Sequence, residues 1–205
     1  LPGVEGFARF TVLPIAPAPL VPPNDGIAFG AIDPDFLTTV LRPHVVDGRR
    51  ADPEATDEIV VNEAMAEAAD LQPGDEVTLN AGWEDPQELG TATVVGIVRT
   101  TFDVGPSAGG AVALLSHAFN RTLDPALSEG ASANAVARLE DGTDGVDAFT
   151  AAVSDALGQP VQLESAAAGE GVIEDSLRVQ AAGYALLAGV AALATVLAIA
   201  QGFAR

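Results

Sequence analysis

Two histidines, His44 and His117, are the imidazoles that the sequence offers for proton transfer or metal binding. They are far apart in the sequence, and neither has a partner at the HExxH spacing that places two metal ligands on one helix face. The chain has no cysteine, which excludes thiolate nucleophiles, thiolate metal ligands and disulfides. Both histidines are therefore predicted to be structural, and the sequence assigns no catalytic, cofactor-binding or metal-binding residue.

The motifs that mark common enzyme sites are also missing from the sequence. It contains no GxSxG nucleophile elbow, no Walker A loop and no GxGxxG dinucleotide fingerprint. The glycine-rich stretch GPSAGG at 105–110 lacks the GK[ST] ending of a phosphate loop and is predicted to be an ordinary loop. The sequence therefore predicts a protein that is not an enzyme and needs no cofactor. A hydrolase of unrecognised type stays open, and it would require a pocket with strained or perturbed polar residues.

Asp33 and Asp35 lie on either side of Pro34 at the start of a predicted helix, and two interpretations of this acidic pair are open. Asp33 can cap a helix that has Pro34 in its first position and stops before Pro43. Alternatively, the two carboxylates are metal ligands. The apolar face of the predicted helix consists of Phe36, Leu37, Val40 and Leu41.

The charge balance argues against nucleic acid as a partner. The 205 residues include nine basic side chains, all of them arginine, and 29 acidic ones, for a formal net charge of −20. A surface of this sign repels the phosphate backbone. Two explanations of the composition stay open: a GC-rich genome, or adaptation to salt and loose cation binding by surface carboxylates.

Residues 51–100 have the pattern of a small, strand-rich unit. A strand over 58–61 leads into a short helix capped by Asn62. A turn at PG, residues 73–74, precedes a strand over 76–79 in which apolar and polar residues alternate. The next apolar run, TATVVGIVRT, predicts another strand, with a bulge at Gly96.

The remaining soluble sequence mixes strands and helices, which predicts the α+β class. VLPIAPAPLVPPNDG is predicted to be an extended loop. Apolar residues at steps of three and four predict a helix over 146–157 that Gly158 ends. Strands are predicted over 6–13, 111–115, 134–139 and 160–165, with a further helix near 116–123.

The C-terminal segment has the composition of a membrane span. No charged residue lies between Arg178 and Arg205, and residues 181–200 are apolar apart from Tyr184 and Thr195. Twenty helical residues rise about 30 Å, the thickness of a bilayer's hydrocarbon core. A helix buried in a soluble core is the alternative. The basic end at Arg205 favours the cytoplasmic side, which places the acidic body outside.

Small residues recur along this segment at a spacing that lets two membrane helices approach closely. The sequence therefore predicts that this face packs against other helices in the membrane. The residues assigned to it are Ala181, Ala185, Gly189, Ala188 and Ala192.

The order of these parts resembles one family. DPDFLTTVL followed by DGRR, then DEIVVNEAMAEAADLQPGDEVTL, then TATVVGIVRT, and finally the apolar C-terminal segment resemble the MacB-like extracytoplasmic (periplasmic core) domain of FtsX-like ABC transporter permeases. The resemblance covers nearly the whole chain. It depends on the succession GR…DEIVVNE.MA…L.PGDEV.L…VVGIV and on its position before a predicted membrane helix.

The resemblance implies a two-lobed α+β extracytoplasmic domain followed by one transmembrane helix. Residues 1–50 and 101–164 would form a porter-like α+β lobe, and residues 51–100 a β-rich inserted lobe. Residues 165–172 would be a hinge, and residues 173–205 a stalk and the second membrane helix of the permease.

The resemblance also implies a location and partners. Residues 1–172 would lie on the extracytoplasmic side of a bacterial cell membrane. The partners would be a cytoplasmic ABC ATPase subunit, further permease helices in a dimer, and membrane lipid. The chain would transmit ATP-driven movement for export or extraction of a lipid, lipoprotein, peptide or drug, or for control of cell-wall hydrolases.

A second interpretation comes from a different class of protein. A cell-surface binding module held by a single C-terminal membrane anchor has the same acidic body and apolar end. Further membrane spans in the parent gene and a neighbouring ATPase gene would favour the permease.

Overall fold

A computed structural model describes residues 3–103, 110–128, 133–161 and 163 of the chain. Within these residues, nine strands form one sheet. The strands are β1 (Val4–Leu13), β2 (Ile15–Pro17), β3 (Ile27–Ala31), β4 (His44–Gly48), β5 (Glu58–Asn62), β6 (Glu76–Ala81), β7 (Gln87–Arg99), β8 (Val112–Leu115) and β9 (Ala133–Leu139).

The helices of the described residues are few and short. The α-helices are α1 (Glu63–Ala69), α2 (His117–Asn120) and α3 (Val146–Leu157), a π-helix spans Phe36–Val40, and 3₁₀ turns lie at Thr101–Asp103, Pro125–Ser128 and Gly142–Gly145.

The sheet is mixed. Eight of the strands follow one another across the sheet in the order β2-β6-β7-β5-β8-β3-β1-β9. The ninth, β4, pairs with β7 and lies outside this order. The pairs β3–β8 and β5–β7 are parallel, and the other pairs are antiparallel. A mixed sheet with few helices agrees with the predicted α+β class.

The buried side chains form two clusters, one on each face of the sheet. In β5, Ile59 and Val61 belong to one cluster and Val60 belongs to the other, because successive strand residues point to opposite faces. α1 adds Met65 and Ala66 to the first cluster. The π-helix covers the second.

Four phenylalanines dominate the second cluster. The rings of Phe10 and Phe36 stack with centroids 4.8 Å apart, and those of Phe29 and Phe102 meet edge to face at 5.0 Å. Phe36 is fully buried. Burial of a ring of this size stabilises the fold by about 1.5–3 kcal/mol, so the π-helix is held by packing.

The short elements predicted from local signals are present. The side chain of Asn62 caps α1 by accepting a hydrogen bond from the Met65 amide, and Val77 and Leu79 are the buried positions of an alternating β6. α3 ends at Gly158 in the left-handed conformation.

The bulge predicted at Gly96 is present in β7. Ile59 pairs with Val94 and the next residue of β5 pairs with Gly96, so Val95 is the extra residue. A Cβ at Gly96 would collide with the backbone of Arg49. Glycine is therefore required here by the close approach of the chain next to the bulge.

The proline-rich segment is more ordered than predicted. It was expected to be a loop, but it includes β2, and β3 and β4 follow at positions where no strand was predicted. β2 lies at an end of the sheet path, where Pro17 is tolerated because an edge strand need not donate on its outer side. The helix expected near 116–123 is confined to α2, and residues 160, 161 and 163 of the predicted last strand are not in a strand.

The sheet runs across the predicted lobe boundaries. β5, β6 and β7 come from residues 51–100, and they pair with β2, β4 and β8 from outside that range. The division into lobes stays a prediction. Among the described residues, no helix combines the length and apolar character needed to cross a bilayer. The predicted hinge and transmembrane helix, residues 165–205, lie outside the described residues.

Candidate functional site

A small pocket opens on the face of the sheet that the π-helix covers. Its volume is about 40 Å³. Val60 of β5 and Val98 of β7 line it from the sheet, and α2 and the chain after β4 complete its walls. The other apolar lining residues are Ala31, Pro34, Leu37, Pro43, Ala51 and Pro53.

The polar side chains that line the pocket include no carboxylate. They are Thr38, Arg50, Ser116 and His117. Arg50 is exposed, and its guanidinium makes no ion pair with the residues that the structure describes. The pocket therefore combines apolar walls with one arginine that has no ion-pair partner among the described residues.

Ser116 and His117 lie side by side, but they do not form a nucleophile and its base. The Ser116 hydroxyl donates to the Ala55 carbonyl at 2.9 Å and accepts from the Phe119 amide at 2.9 Å, which caps α2. Ser116 is buried. Its oxygen is therefore committed to holding the start of the helix.

His117 has a buried nitrogen without a partner. Its Nδ1 is enclosed and makes no hydrogen bond with the described part of the protein. His44, by contrast, is exposed at the start of β4, opposite Arg99 of β7. The structure therefore does not bring the two histidines into one site.

Asp33 does not act as the predicted helix cap. Its carboxylate accepts hydrogen bonds from the Arg9 amide (2.8 Å), Nε (3.0 Å) and Nη2 (2.8 Å). This hydrogen bonding to Arg9 lowers the pKa of Asp33. The residue at the cap position is Asp35, whose side chain makes no capping bond. The cap prediction was wrong because an arginine on β1 competes successfully for the carboxylate.

The metal interpretation of Asp33 and Asp35 has no support in the described residues. Nowhere in them do three His, Asp or Glu side chains converge in a group suited to a metal ion. Asp33 faces Arg9, and Asp35 accepts a hydrogen bond from the Thr39 hydroxyl at 3.3 Å.

A second arginine–carboxylate pair joins the chain after β4 to β5. Arg49 donates from Nη1 to Glu58 Oε2 at 2.8 Å and from Nη2 to Oε1, and the Asp52 amide adds a bond of 2.9 Å to Oε2. The side-chain bond from Arg49, followed by the backbone bond from Asp52, lowers the pKa of Glu58 to about 2. This pair fixes the segment that carries Arg50 into the pocket.

Several residues that were assigned a role from the sequence cannot be placed relative to the pocket. The predicted membrane-packing residues Ala181, Ala185, Gly189, Ala188 and Ala192 lie outside the described residues, as does GPSAGG except for Gly110. The pocket itself was not predicted. Arg50 and His117 are separated in the sequence by β5, β6, β7 and β8, so no local pattern connects them.

The comparisons with known proteins give structural similarities only. No protein-family model matches the chain, and no curated protein matches it. The chain is similar to the extracellular domain of the noncanonic ABC-type transporter YknZ from Gram-positive bacteria, with 15% sequence identity, a TM-score of 0.46 and 80% of each chain covered.

The chain is also similar to the periplasmic region of MacB from Actinobacillus actinomycetemcomitans. The identity is 10%, the TM-score is 0.49, and the match covers 85% of this chain and 78% of the other.

Proposed function

We propose that this chain is the extracytoplasmic domain and adjoining membrane helix of an FtsX-like ABC transporter permease. Its role is to transmit ATP-driven movement from a cytoplasmic ATPase to the outer side of the membrane. The observation that carries the proposal is the succession GR…DEIVVNE.MA…L.PGDEV.L…VVGIV ahead of an uncharged segment long enough to span a bilayer.

The residues of this succession lie in one tightly connected unit. Arg49 of DGRR binds Glu58 of DEIVVNE. The Gly74 amide of the PGD turn donates to the Val94 carbonyl at 2.7 Å, and the Val94 amide donates to the Asp75 carbonyl at 2.8 Å. Bonds between distant parts of the motif support a structural role for it, which is what a part that transmits force requires.

In this proposal the domain does no chemistry. ATP binding and hydrolysis on the cytoplasmic side shift the membrane helices, and the helix predicted from about residue 173 carries that shift to the sheet. The sheet then moves as one body because its strands pair across both halves of the sequence. The substrate, a lipid, lipoprotein, peptide or drug, is moved by the assembled transporter.

The test places a spin label on the domain of the full-length permease. The chain has no native cysteine, and Leu157 is 60% exposed, so Leu157→Cys provides one labelling site. A second label is placed on the ATPase, and the distance between them is measured with and without ATP. We expect an ATP-dependent change in this distance.

A break in the predicted helix tests the transmission itself. Inserting Gly-Gly within residues 177–180 should abolish the distance change while ATP hydrolysis continues, because glycine disfavours a continuous helix. Inserting four alanines at the same place is the control, since it adds about one helical turn and keeps the helix. An unchanged response in the Gly-Gly variant would contradict the proposal. Failure of any ATPase to co-purify would favour the anchored binding module.

A further inference from the structure

The strand at one end of the sheet, β9, lacks the features that protect the other sheet edges. At the opposite end, β2 is three residues long and includes Pro17, and β4 has a register shift between Val45 and Asp47. Short length, proline and bulges keep an edge strand from pairing with another chain. β9 has seven residues without proline, and it pairs with β1 in continuous register from Ala133 to Arg138. Its length and regularity are those of a strand that can pair on both sides.

The outer edge of β9 has no strand beside it within the described residues, where β1 is its one strand neighbour. Residues 160, 161 and 163 are not in a strand, and the Val161 amide donates instead to the Ser154 hydroxyl of α3 at 3.2 Å. Five of the seven residues of β9 are apolar, yet none of the seven is buried. The apolar surface continues onto β1, where Phe7 lies opposite Ala137 and is 53% exposed. This end of the sheet therefore has apolar surface and backbone groups that a further strand could cover.

We propose that the outer edge of β9 pairs with β9 of a second copy of this chain, in antiparallel orientation and with Val136 on the twofold axis. This register pairs all seven residues of each strand. Ala133 lies opposite Leu139 of the second copy. Ala135 lies opposite Ala137 of the second copy. A dimer with a twofold axis requires a surface that is complementary to itself, and this strand meets that requirement because no pair in the register combines two bulky or two charged side chains on the solvent-exposed positions.

The distribution of charge allows two copies to approach at this edge. Each copy has a formal net charge of −20, which opposes association. β9 has no acidic residue, and its one charged residue is Arg138. With Val136 on the axis, Arg138 lies opposite Asn134 of the second copy, and four residues, or about 13 Å along the strands, separate the two arginines. A register centred on Arg138 would instead place like charges opposite each other, which is unfavourable.

A distance between two identical labels tests the register. The chain has no native cysteine, and Ala133 is exposed, so Ala133→Cys is spin-labelled in the complete 205-residue chain in detergent micelles. In the proposed register six residues separate the two labelled positions along the strands, which gives about 20 Å between their Cα atoms. Moving the twofold axis by one residue changes this separation by about 7 Å. We expect a dimer by light scattering and one distance maximum that agrees with about 20 Å.

Two double substitutions test the same register by charge. Ala135→Glu with Ala137→Glu places like charges opposite each other in both halves of the interface and should raise the dimer dissociation constant by about tenfold. Ala135→Glu with Ala137→Lys places opposite charges there and should restore the constant to within about threefold of wild type. Ala68→Glu, on an exposed alanine of α1, is the matched control and should change nothing. Sedimentation equilibrium measures all four dissociation constants.

Three results would overturn this inference. A monomeric chain would leave the edge of β9 to a strand of another protein. A dimer without a distance maximum near 20 Å would have its interface elsewhere, as in the predicted membrane helix. Equal dissociation constants for the two double variants would show that residues 135 and 137 do not face each other across the interface. None of these measurements involves ATP or an ATPase, so the dimer interface and the proposed transport function fail separately.

Discussion

Asn62 donates a hydrogen bond of 2.7 Å from Nδ2 to Oδ1 of Asp103, which lies 41 positions later in the chain. The same amide nitrogen donates to the Gly110 carbonyl at 2.8 Å, and Oδ1 accepts from the amides of Met65 and Val112, each at 2.9 Å. One buried side chain therefore joins the end of β5, the start of α1, the 3₁₀ turn after β7 and the start of β8.

Removing these bonds should destabilise the protein strongly. Asn62→Ala is expected to lower the free energy of unfolding by about 2–4 kcal/mol, because it leaves buried donors and acceptors unpaired and removes a helix cap. Asn80→Ala is the control and should cost about 1 kcal/mol, since within the described residues the Asn80 side chain makes one hydrogen bond, to the Leu20 carbonyl at 3.2 Å. Urea unfolding of both variants measures the difference. Equal losses of unfolding free energy in Asn62→Ala and Asn80→Ala would contradict the role of Asn62.

The Arg49–Glu58 pair should make stability depend on pH in the acidic range. Hydrogen bonds from Arg49 and Asp52 lower the pKa of Glu58 from 4.5 to about 2. A lowered pKa stabilises the folded state fully above the unfolded value, and this stabilisation is lost as the pH falls towards 2. Glu58→Gln should therefore be less stable than wild type at pH 7, with the difference shrinking below about pH 4.5.

The control for this pH effect is Glu63→Gln. Its partner Arg99 is at 2.6 Å, but both side chains are about half exposed, and exposed pairs contribute little. Denaturant midpoints between pH 2 and pH 7 provide the measurement. A difference between Glu58→Gln and wild type that persists unchanged at pH 2 would show that the ion pair is not its cause.

Gly96 should tolerate no side chain. Gly96→Ala brings a Cβ into the backbone of Arg49, and relief of the clash requires a shift of the bulge. We expect a loss of about 1–3 kcal/mol, as for other overpacked positions. Gly110→Ala is the control, because a Cβ there meets no atom of the described structure within 4 Å. Thermal melts distinguish the two, and a normal melting temperature for Gly96→Ala would disprove the close approach.

The aromatic cluster should be the costliest place to remove a side chain. Phe36→Ala deletes a fully buried ring stacked on Phe10 and should cost about 3–5 kcal/mol. Phe7→Ala removes the same group from a position that is 53% exposed, and such surface changes are usually within about 0.5 kcal/mol. Chemical unfolding of the two variants gives the comparison. A small effect of Phe36→Ala would mean that the π-helix is held by something other than its ring.

The sequence predicted the elements whose causes are local. Asn62 caps the following helix by accepting from the Met65 amide, and the Gly158 amide ends α3 by donating to preceding carbonyls, so both act on residues within four positions. The glycine also marked the bulge at Gly96, although the close approach of Arg49 that requires a glycine there is not local.

The elements that depend on distant partners were missed. β3 is short and contains glycine, and it exists because β1 and β8 pair with its two edges. Asp33 had a correct local pattern for a cap, but Arg9, from 24 residues earlier, binds its carboxylate. The pocket combines Arg50 with His117 and β-strand valines from separate segments, which only the sheet order brings together.

The pairing of β1 with β9 also constrains how the domain is made by the ribosome. Val4 lies opposite Leu139, so one edge of the first strand stays open until almost the whole domain has been synthesised. Long-range strand pairing folds slowly and leaves unpaired edges exposed in the meantime. During synthesis, this edge of β1 is therefore open to pairing with other polypeptides until β9 has been made.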